Sequence, residues 1–312
     1  MTREAHTTKG FDRPTDFPKS EAERRRWQDE NRSWWEKHPM RYDWNHSVPF
    51  KEFSNEFFEE IDRRFFANVK QFMPWCKTPF DPLINFDDLA NKDVLEIGTG
   101  NGSHAQLLAR HARSYAGIDI TDYAVKSTSE RMHRFGINNA RILRMDAENM
   151  SFDDESFDYI WTWGVVHHSS NTEAILAEMR RVLRPGGTAV TMVYRRGLWN
   201  YYISGGIFRG IIKGDLWGTG SLHNCIQKHT DGAIARYYSA REWRLLASRY
   251  FDVKKILVYG SKAELIPLPG GKVKSAVLAC VPNLLSRFLT NNCRFGGFLV
   301  SVLEKGRIDI LN

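Results

Sequence analysis

Hydrophobic residues recur at helical spacing in the first part of the chain. Between residues 52 and 73 they return every four residues, which predicts an amphipathic helix with a buried stripe formed by Phe53, Phe57, Ile61, Phe65 and Val69. A second helix is predicted over residues 21–38, and residues 1–20 are expected to form a loose tail. The chain therefore begins with a helical extension that must pack on something else.

From Asp93 onward, short apolar runs alternate with amphipathic segments. Seven runs are predicted to be strands, at 93–97, 115–120, 140–145, 157–163, 188–194, 253–259 and 297–303. The predicted helices between them cover 104–112, 123–135, 172–183 and 239–250. This alternation predicts an α/β fold, a doubly wound and mainly parallel seven-stranded sheet with helices on both faces.

The same pattern divides the chain. Residues 1–85 are predicted to be the N-terminal tail and helical extension, and residues 86–312 the α/β domain. Two segments interrupt the alternation, 195–238 and 260–295, and we expect these insertions to form a cap beside the sheet.

Composition excludes several classes of protein. With 312 residues, 42% hydrophobic and 26% charged, the chain is an ordinary globular protein. Its four cysteines form no CxxC pair, so we expect no disulfide framework, no metal site and a cytoplasmic location. The first thirty residues mix charges of both signs, and no apolar run reaches the ~20 residues of a membrane span, so we expect neither a secretory signal nor a transmembrane helix.

Positive charge is concentrated at the C-terminal end. Residues 195–312 carry 18 Lys and Arg against seven Asp and Glu, whereas residues 1–194 carry 26 against 30. Such an asymmetry favours an anionic metabolite, a phospholipid surface or nucleic acid as partner, although solubilising surface charge explains it equally well.

A glycine-rich run follows the first predicted strand, Glu96-Ile-Gly98-Thr-Gly100-Asn-Gly102. Glycines at this position let a ligand approach the backbone at the carboxyl edge of the sheet. The dinucleotide fingerprint GxGxxG would need glycine where Ser103 stands, so the fit to NAD is imperfect. Asp119 ends the next strand, where a carboxylate can accept hydrogen bonds from both hydroxyls of a ribose.

These residues resemble a known family, the class I S-adenosylmethionine (SAM) dependent methyltransferases. The family shows, in this order, ExGxGxG, an acidic residue after the second strand, an Asp-Ala pair after the third and an LRPGG turn before the fifth. This chain has Glu96 to Gly102, Asp119, Asp146-Ala147 and Leu183 to Gly187. The resemblance implies a Rossmann-like fold and SAM as cofactor.

The resemblance also implies roles for individual residues. Gly98 and Gly100 would line the methionine and ribose part of the cofactor, Glu96 would face its ammonium group, Asp119 would hold the ribose hydroxyls, and Asp146 would accept from the adenine amino group. The full set of implied cofactor residues is Glu96, Gly98, Thr99, Gly100, Gly102, Asp119, Ile120, Asp146, Ala147 and Trp163. A cation without phosphate suits this acidic surrounding better than a pyrophosphate does.

Two histidines follow the fourth strand. The run from Trp163 to His168 resembles the GVLHH segment of small-molecule methyltransferases that act on ubiquinone and menaquinone precursors. Either His167 or His168 is a candidate general base, since a histidine pKa near ~6.5 suits proton removal at neutral pH. The alternative is that both only shape the loop through hydrogen bonds.

Substrate selectivity is expected in the N-terminal helix and the two insertions. In the first insertion the candidates for binding an anionic acceptor are Arg195, Arg196, Tyr201 and His229, although packing explains each of them as well. The second insertion is both apolar and basic, which suits a membrane-surface helix, a gate for a hydrophobic substrate, or a hairpin packed on the sheet or on a second copy of the chain.

The sequence therefore predicts a SAM-dependent methyltransferase with a small-molecule acceptor. An RNA or protein methyltransferase is the first alternative, although we find no RNA-binding module and expect no DNA partner. A noncatalytic SAM-binding module and a nicotinamide-dependent oxidoreductase are the others, and the displaced glycine disfavours the second of these.

Overall fold

A computed structural model describes residues 8–43, 46–267 and 271–306. Its seven strands form one sheet in the order β3-β2-β1-β4-β5-β7-β6. β1 to β5 are parallel, and β7 runs antiparallel to both β5 and β6. The strands are β1 (Asp93–Ile97), β2 (Ser114–Asp119), β3 (Ala140–Arg144), β4 (Phe157–Trp163), β5 (Leu183–Tyr194), β6 (Asp252–Tyr259) and β7 (Phe298–Glu304). The predicted fold class is confirmed.

The helices begin where side chains can satisfy the first free backbone N–H groups. Ser20, Ser54, Thr121 and Asn171 each accept such a bond, at the start of α1 (Glu21–Lys37), α2 (Asn55–Phe72), α4 (Asp122–Arg134) and α5 (Thr172–Val182). The other α-helices are α3 (Ser103–Ala109), α6 (Asp215–Thr219), α7 (Leu222–Gln227), α8 (Ala240–Ala247), α9 (Lys272–Cys280) and α10 (Asn283–Arg287). A π-helix (Leu198–Ile212) occupies the first insertion.

Alternate residues of the strands enter two separate hydrophobic cores. Leu95 and Ile97 of β1 face a core that α5 and α8 complete, whereas Val94 faces the core that contains α2 and α3. The apolar stripe of α2 thus packs against the sheet, with Phe65, Val69 and Phe72 all buried. Among the described residues, no helix is both long and apolar enough to cross a bilayer.

Two predictions of local structure were wrong. The LRPGG run is not a turn, because β5 already begins at Leu183 and pairs with Phe157 across an irregular register. Gly186 takes a φ of +78° within this run, a backbone conformation that favours glycine. Of the predicted loose tail, residues 1–7 lie outside the described residues, and the segment 8–20 is irregular but not loose, since Phe11 is fully buried against Trp27 and Ile234.

Arg236 attaches the N-terminal segment to the domain. It is fully buried, and its guanidinium donates to the carbonyls of Asp16 at 2.9 Å, Ser170 at 2.6 Å and Ser169. Burial lowers the pKa of Arg236, yet the three carbonyls and the ring of Phe17, 4.8 Å away, still compensate the charge. This one side chain joins the tail to the loop after β4.

Replacing Arg236 with methionine should therefore destabilise the protein. Methionine keeps much of the volume but leaves buried carbonyls without donors, which costs about 1–3 kcal/mol for each group. We expect the free energy of unfolding, measured by urea denaturation, to fall by about 3 kcal/mol. The matched control is Arg241→Met on the exposed surface of α8, and an equal effect of both variants would contradict the role of Arg236.

Candidate active site

A cavity of about 490 Å³ opens at the carboxyl ends of β1, β2 and β4. Its walls are the loops that follow these strands, and α1 and α2 cover it. Nine of the residues that the sequence predicts for the site line this cavity, namely Gly98, Thr99, Gly100, Asp119, Ile120, Asp146, Ala147, Trp163 and His168. The structure thus brings together residues that lie up to 70 positions apart in sequence.

The three glycines of the loop after β1 have different structural tasks. Gly98 has a φ of +81°, and a Cβ there would lie 2.2 Å from Val165. Gly100 has a φ of +53° and no atom within 4 Å of the position of a Cβ, so it leaves open space at the cavity. Gly102 caps α3 and packs on Thr128 and Arg131 of α4, outside the cavity lining.

Asp119 is held in place by its own loop. Its Oδ1 accepts from the backbone N–H of Thr121 at 3.0 Å and from its hydroxyl at 2.8 Å, while Oδ2 accepts from Gly100 N–H at 3.2 Å. Burial raises the pKa of Asp119, and these three donors work against that shift. Because a carboxylate has about four acceptor positions, capacity remains for a ligand in the cavity.

Asp146 offers a second carboxylate on the same cavity. Its Oδ1 accepts from the side-chain amide of Gln28 at 2.9 Å and from Glu148 N–H at 2.9 Å. Its other oxygen has no donor among the residues that the structure describes. Burial is the main cause that raises the pKa of Asp146. Nearby, Thr99 Oγ1 is buried without a hydrogen-bond partner in the described ranges, so it too could serve a ligand.

The structure places Glu96 outside the cavity lining, in contrast to its predicted position. Glu96 shares a strand face with Val94, so its side chain enters the core beside α3. There it accepts from the Tyr115 hydroxyl at 2.5 Å and lies 3.7 Å from Nδ1 of His104, which does line the cavity. Burial raises the pKa of Glu96 to about 8, so the group is mainly neutral at pH 7.

The raised pKa of Glu96 predicts a pH-dependent stability. The carboxyl has a pKa near 4.5 in the unfolded chain and about 8 in the folded chain. Between these values, each unit by which the pH rises lowers the free energy of unfolding by up to about 1.4 kcal/mol. We expect Glu96→Gln to remove this loss, so the variant should gain stability relative to wild type as pH rises from 5 toward 8. Melting curves across that range test it, and parallel pH profiles for both proteins would contradict it.

His168 faces the cavity, whereas His167 lies behind it. Nδ1 of His168 is 2.6 Å from the carbonyl oxygen of Ile234, and since a carbonyl only accepts, Nδ1 carries the proton and Nε2 is the free base. Burial lowers the pKa of His168 to about 4. His167 is fully buried, does not line the cavity and packs 4.0 Å from the ring of Tyr194.

The N-terminal helix contributes residues that the sequence patterns did not single out. Gln28, Asn31 and Trp35 of α1 line the cavity, and the Trp35 ring lies 5.0 Å from that of His168. At the end of α1, Glu36 accepts the first N–H groups of α4, which begins just after Asp119. Only their place in the helical extension, where selectivity was expected, pointed to these residues.

None of the four predicted substrate residues lines this cavity. Arg195 donates to the carbonyls of Arg294 and of Gly296 at 3.1 Å, and Arg196 forms an ion pair with Glu242. Both guanidinium groups therefore hold elements of the chain together. Tyr201 and His229 line a second cavity of about 460 Å³ beside the first.

A glycine loop, two acidic residues at strand ends and a sheet of this order are the features expected of a SAM-dependent methyltransferase domain with a Rossmann-like fold. Residues 95–191 match the family described as "Methyltransferase domain". The chain thus carries a methyltransferase domain, and the cofactor of this class is SAM.

Similar proteins agree with this class. A phthiotriol/phenolphthiotriol dimycocerosates methyltransferase of Mycobacterium tuberculosis is 41% identical over 102 residues, which cover 32% of this chain and 37% of that protein. A tRNA U34 carboxymethyltransferase of Methylococcus capsulatus is 30% identical over 141 residues, 39% of this chain and 44% of that protein. The matches thus span less than half of these relatives.

The fold extends beyond the matched segment. The crystal structure of a geranyl diphosphate C-methyltransferase from Streptomyces coelicolor, with Mg²⁺, geranyl diphosphate and S-adenosylhomocysteine, superposes with a TM-score of 0.53. It covers 89% of this chain and 98% of that structure at 13% identity. At this identity the likeness establishes a shared fold only.

Proposed function

We propose that this protein transfers the methyl group of SAM to a small-molecule acceptor. The main support for this proposal is that Gly100, Asp119, Asp146 and His168 all line one cavity. Gly100 leaves open space there, the two aspartates offer carboxylates, and His168 has a free Nε2. The relative from Mycobacterium tuberculosis, whose name specifies a lipid acceptor, supports a small molecule. We also propose that the protein is located in the cytoplasm.

The residues of the cavity fit the cofactor. Gly100 provides a cradle that a Cβ would fill, and Asp119 would accept from the ribose hydroxyls. The unbonded oxygen of Asp146 would accept from the adenine amino group. When bound, SAM supplies an electrophilic methyl group on a sulfonium. Aromatic rings suit such a cation, and Trp35 and Trp163 both line the cavity.

His168 is the base that this arrangement offers. Its Nδ1 proton is fixed by the Ile234 carbonyl, so Nε2 can take a proton from an acceptor O–H or N–H. The pKa near 4 keeps the ring neutral at physiological pH, so Nε2 is unprotonated there, and it also makes His168 a weaker base than a histidine with the ordinary pKa near ~6.5. Alignment of acceptor and cofactor in one cavity would supply the rest of the rate enhancement.

Titration calorimetry with S-adenosylhomocysteine, SAM and NAD is the direct test. We expect both adenosyl ligands to bind and NAD not to bind. Methyl transfer is then assayed with SAM labelled on its methyl group against lipid, quinone and sugar acceptors and against tRNA. Binding of NAD alone would refute the proposal. Binding of SAM with no transfer to any acceptor class would favour a noncatalytic module instead.

A further inference from the structure

The second cavity lies between the two insertions and joins the first. Both cavities are lined by Tyr194, Asp231, Ala263 and Phe298, so a molecule in the second can reach the first past these four residues. The π-helix contributes one wall, and α9 contributes another. The second cavity therefore lies where a bound methyl acceptor could extend into the first cavity.

Positive side chains from both insertions meet in this second cavity. Arg209 of the π-helix and Lys274 of α9 are half-buried there, and Lys213 is exposed at its edge. The side chains of Arg209 and Lys213 have no hydrogen bond or ion pair within residues 8–43, 46–267 and 271–306. Burial and the nearby charge of Arg209 both lower the pKa of Lys274, while the charge of Glu264 raises it, so Lys274 is repelled by Arg209 and attracted by Glu264.

Two acidic side chains near this cavity, Glu264 and Asp215, are engaged by other groups. Glu264 is bound to its own loop, accepting from Ser261 N–H at 2.7 Å and Gly297 N–H at 2.6 Å. Burial raises the pKa of Glu264 to about 7, which removes part of its charge at neutral pH. His229 lies 2.8 Å from Asp215, which also pairs with Lys228. Asp231 is the remaining carboxylate, at the junction with the first cavity.

We propose that the second cavity binds the methyl acceptor through an anionic group, a phosphate or a carboxylate, held by Arg209, Lys274 and Lys213. An arginine fork and two ammonium groups from different segments are the donors that such an anion requires. An anion between Arg209 and Lys274 also relieves their repulsion. The rest of the acceptor then extends past Tyr194 toward His168. This assignment rests on the proposed methyl transfer, since it makes the second cavity the acceptor site.

The test uses pyrophosphate as the anionic probe and the full chain saturated with S-adenosylhomocysteine. We expect calorimetry to show pyrophosphate binding to wild type, weakened roughly tenfold or more in the double variant Arg209→Gln/Lys274→Gln. The matched control is Arg241→Gln/Arg244→Gln, which removes the same charge from the exposed face of α8, outside both cavities. The affinity for S-adenosylhomocysteine should be unchanged in both double variants, which also shows that they are folded.

The outcomes separate the two proposals. If wild type binds S-adenosylhomocysteine but not pyrophosphate, or if both double variants lose pyrophosphate equally, the anion site is refuted and the methyltransferase function stands. If S-adenosylhomocysteine does not bind wild type, the proposed function itself fails. Sedimentation with phosphatidylglycerol-phosphatidylcholine vesicles identifies the source of the anion. Retention that depends on Arg209 and Lys274 indicates a lipid headgroup, and pyrophosphate binding without retention indicates a soluble anion.

Discussion

Replacing Asp119 with asparagine is expected to weaken binding of S-adenosylhomocysteine by roughly 100-fold. Each hydrogen bond to a charged group contributes about 1.5–3 kcal/mol, and the carboxylate would accept from two ribose hydroxyls. An amide has one acceptor oxygen where the carboxylate has two, and three protein donors already compete for it. Titration calorimetry of both proteins measures the change directly.

Two controls isolate the ligand contact from the loop that carries it. Asp153→Asn removes an equal charge from an exposed turn, so its affinity should match that of wild type. The melting temperature of the Asp119 variant shows whether the loop keeps its structure when Thr121 and Gly100 lose a charged acceptor. A dissociation constant within threefold of wild type, in a folded Asp119 variant, would exclude Asp119 from the cofactor site.

Position in a strand decides how well the sequence predicts the cofactor residues. Asp119 ends β2 and Gly100 follows β1, and parallel strands bring such ends to one edge whatever the rest of the chain does. Glu96 stands one residue inside the end of β1, where alternation directs its side chain to the core that contains Val94. Because side chains two residues apart in a strand share a face, the buried Val94 already indicates that Glu96 points into the same core.

The acceptor side was harder to predict because it depends on tertiary partners. Arg195 and Arg196 belong to the basic region that favours an anionic partner, but the structure uses them on the carbonyls near Gly296 and on Glu242. Arg209 belongs to the same basic region of the sequence, but it lines the second cavity. Whether a cation is available to a ligand depends on partners 46 to 101 positions away, which local patterns do not specify.

Replacing His168 with glutamine should lower kcat by about 100-fold or more for an acceptor that must lose a proton. Glutamine can still donate toward the Ile234 carbonyl and fill much of the same space, but it cannot take up a proton. Because the cofactor contacts are assigned to Gly100, Asp119 and Asp146 and not to His168, affinity for S-adenosylhomocysteine should change little. The assay compares kcat and KM at saturating SAM with the acceptor found by screening. His133→Gln, on the exposed face of α4, is the control.

The pH profile separates a base from a residue that only shapes the loop. Burial disfavours the charged ring and lowers the pKa of His168 to about 4, so the base stays available as pH falls and is lost only as pH approaches that value. Wild-type kcat should therefore be level through neutral pH and fall toward pH 4, and this acidic decline should be absent from the glutamine variant. If the variant keeps both wild-type kcat and the acidic decline, proton removal by His168 is refuted, and alignment in the cavity is left as the source of the rate.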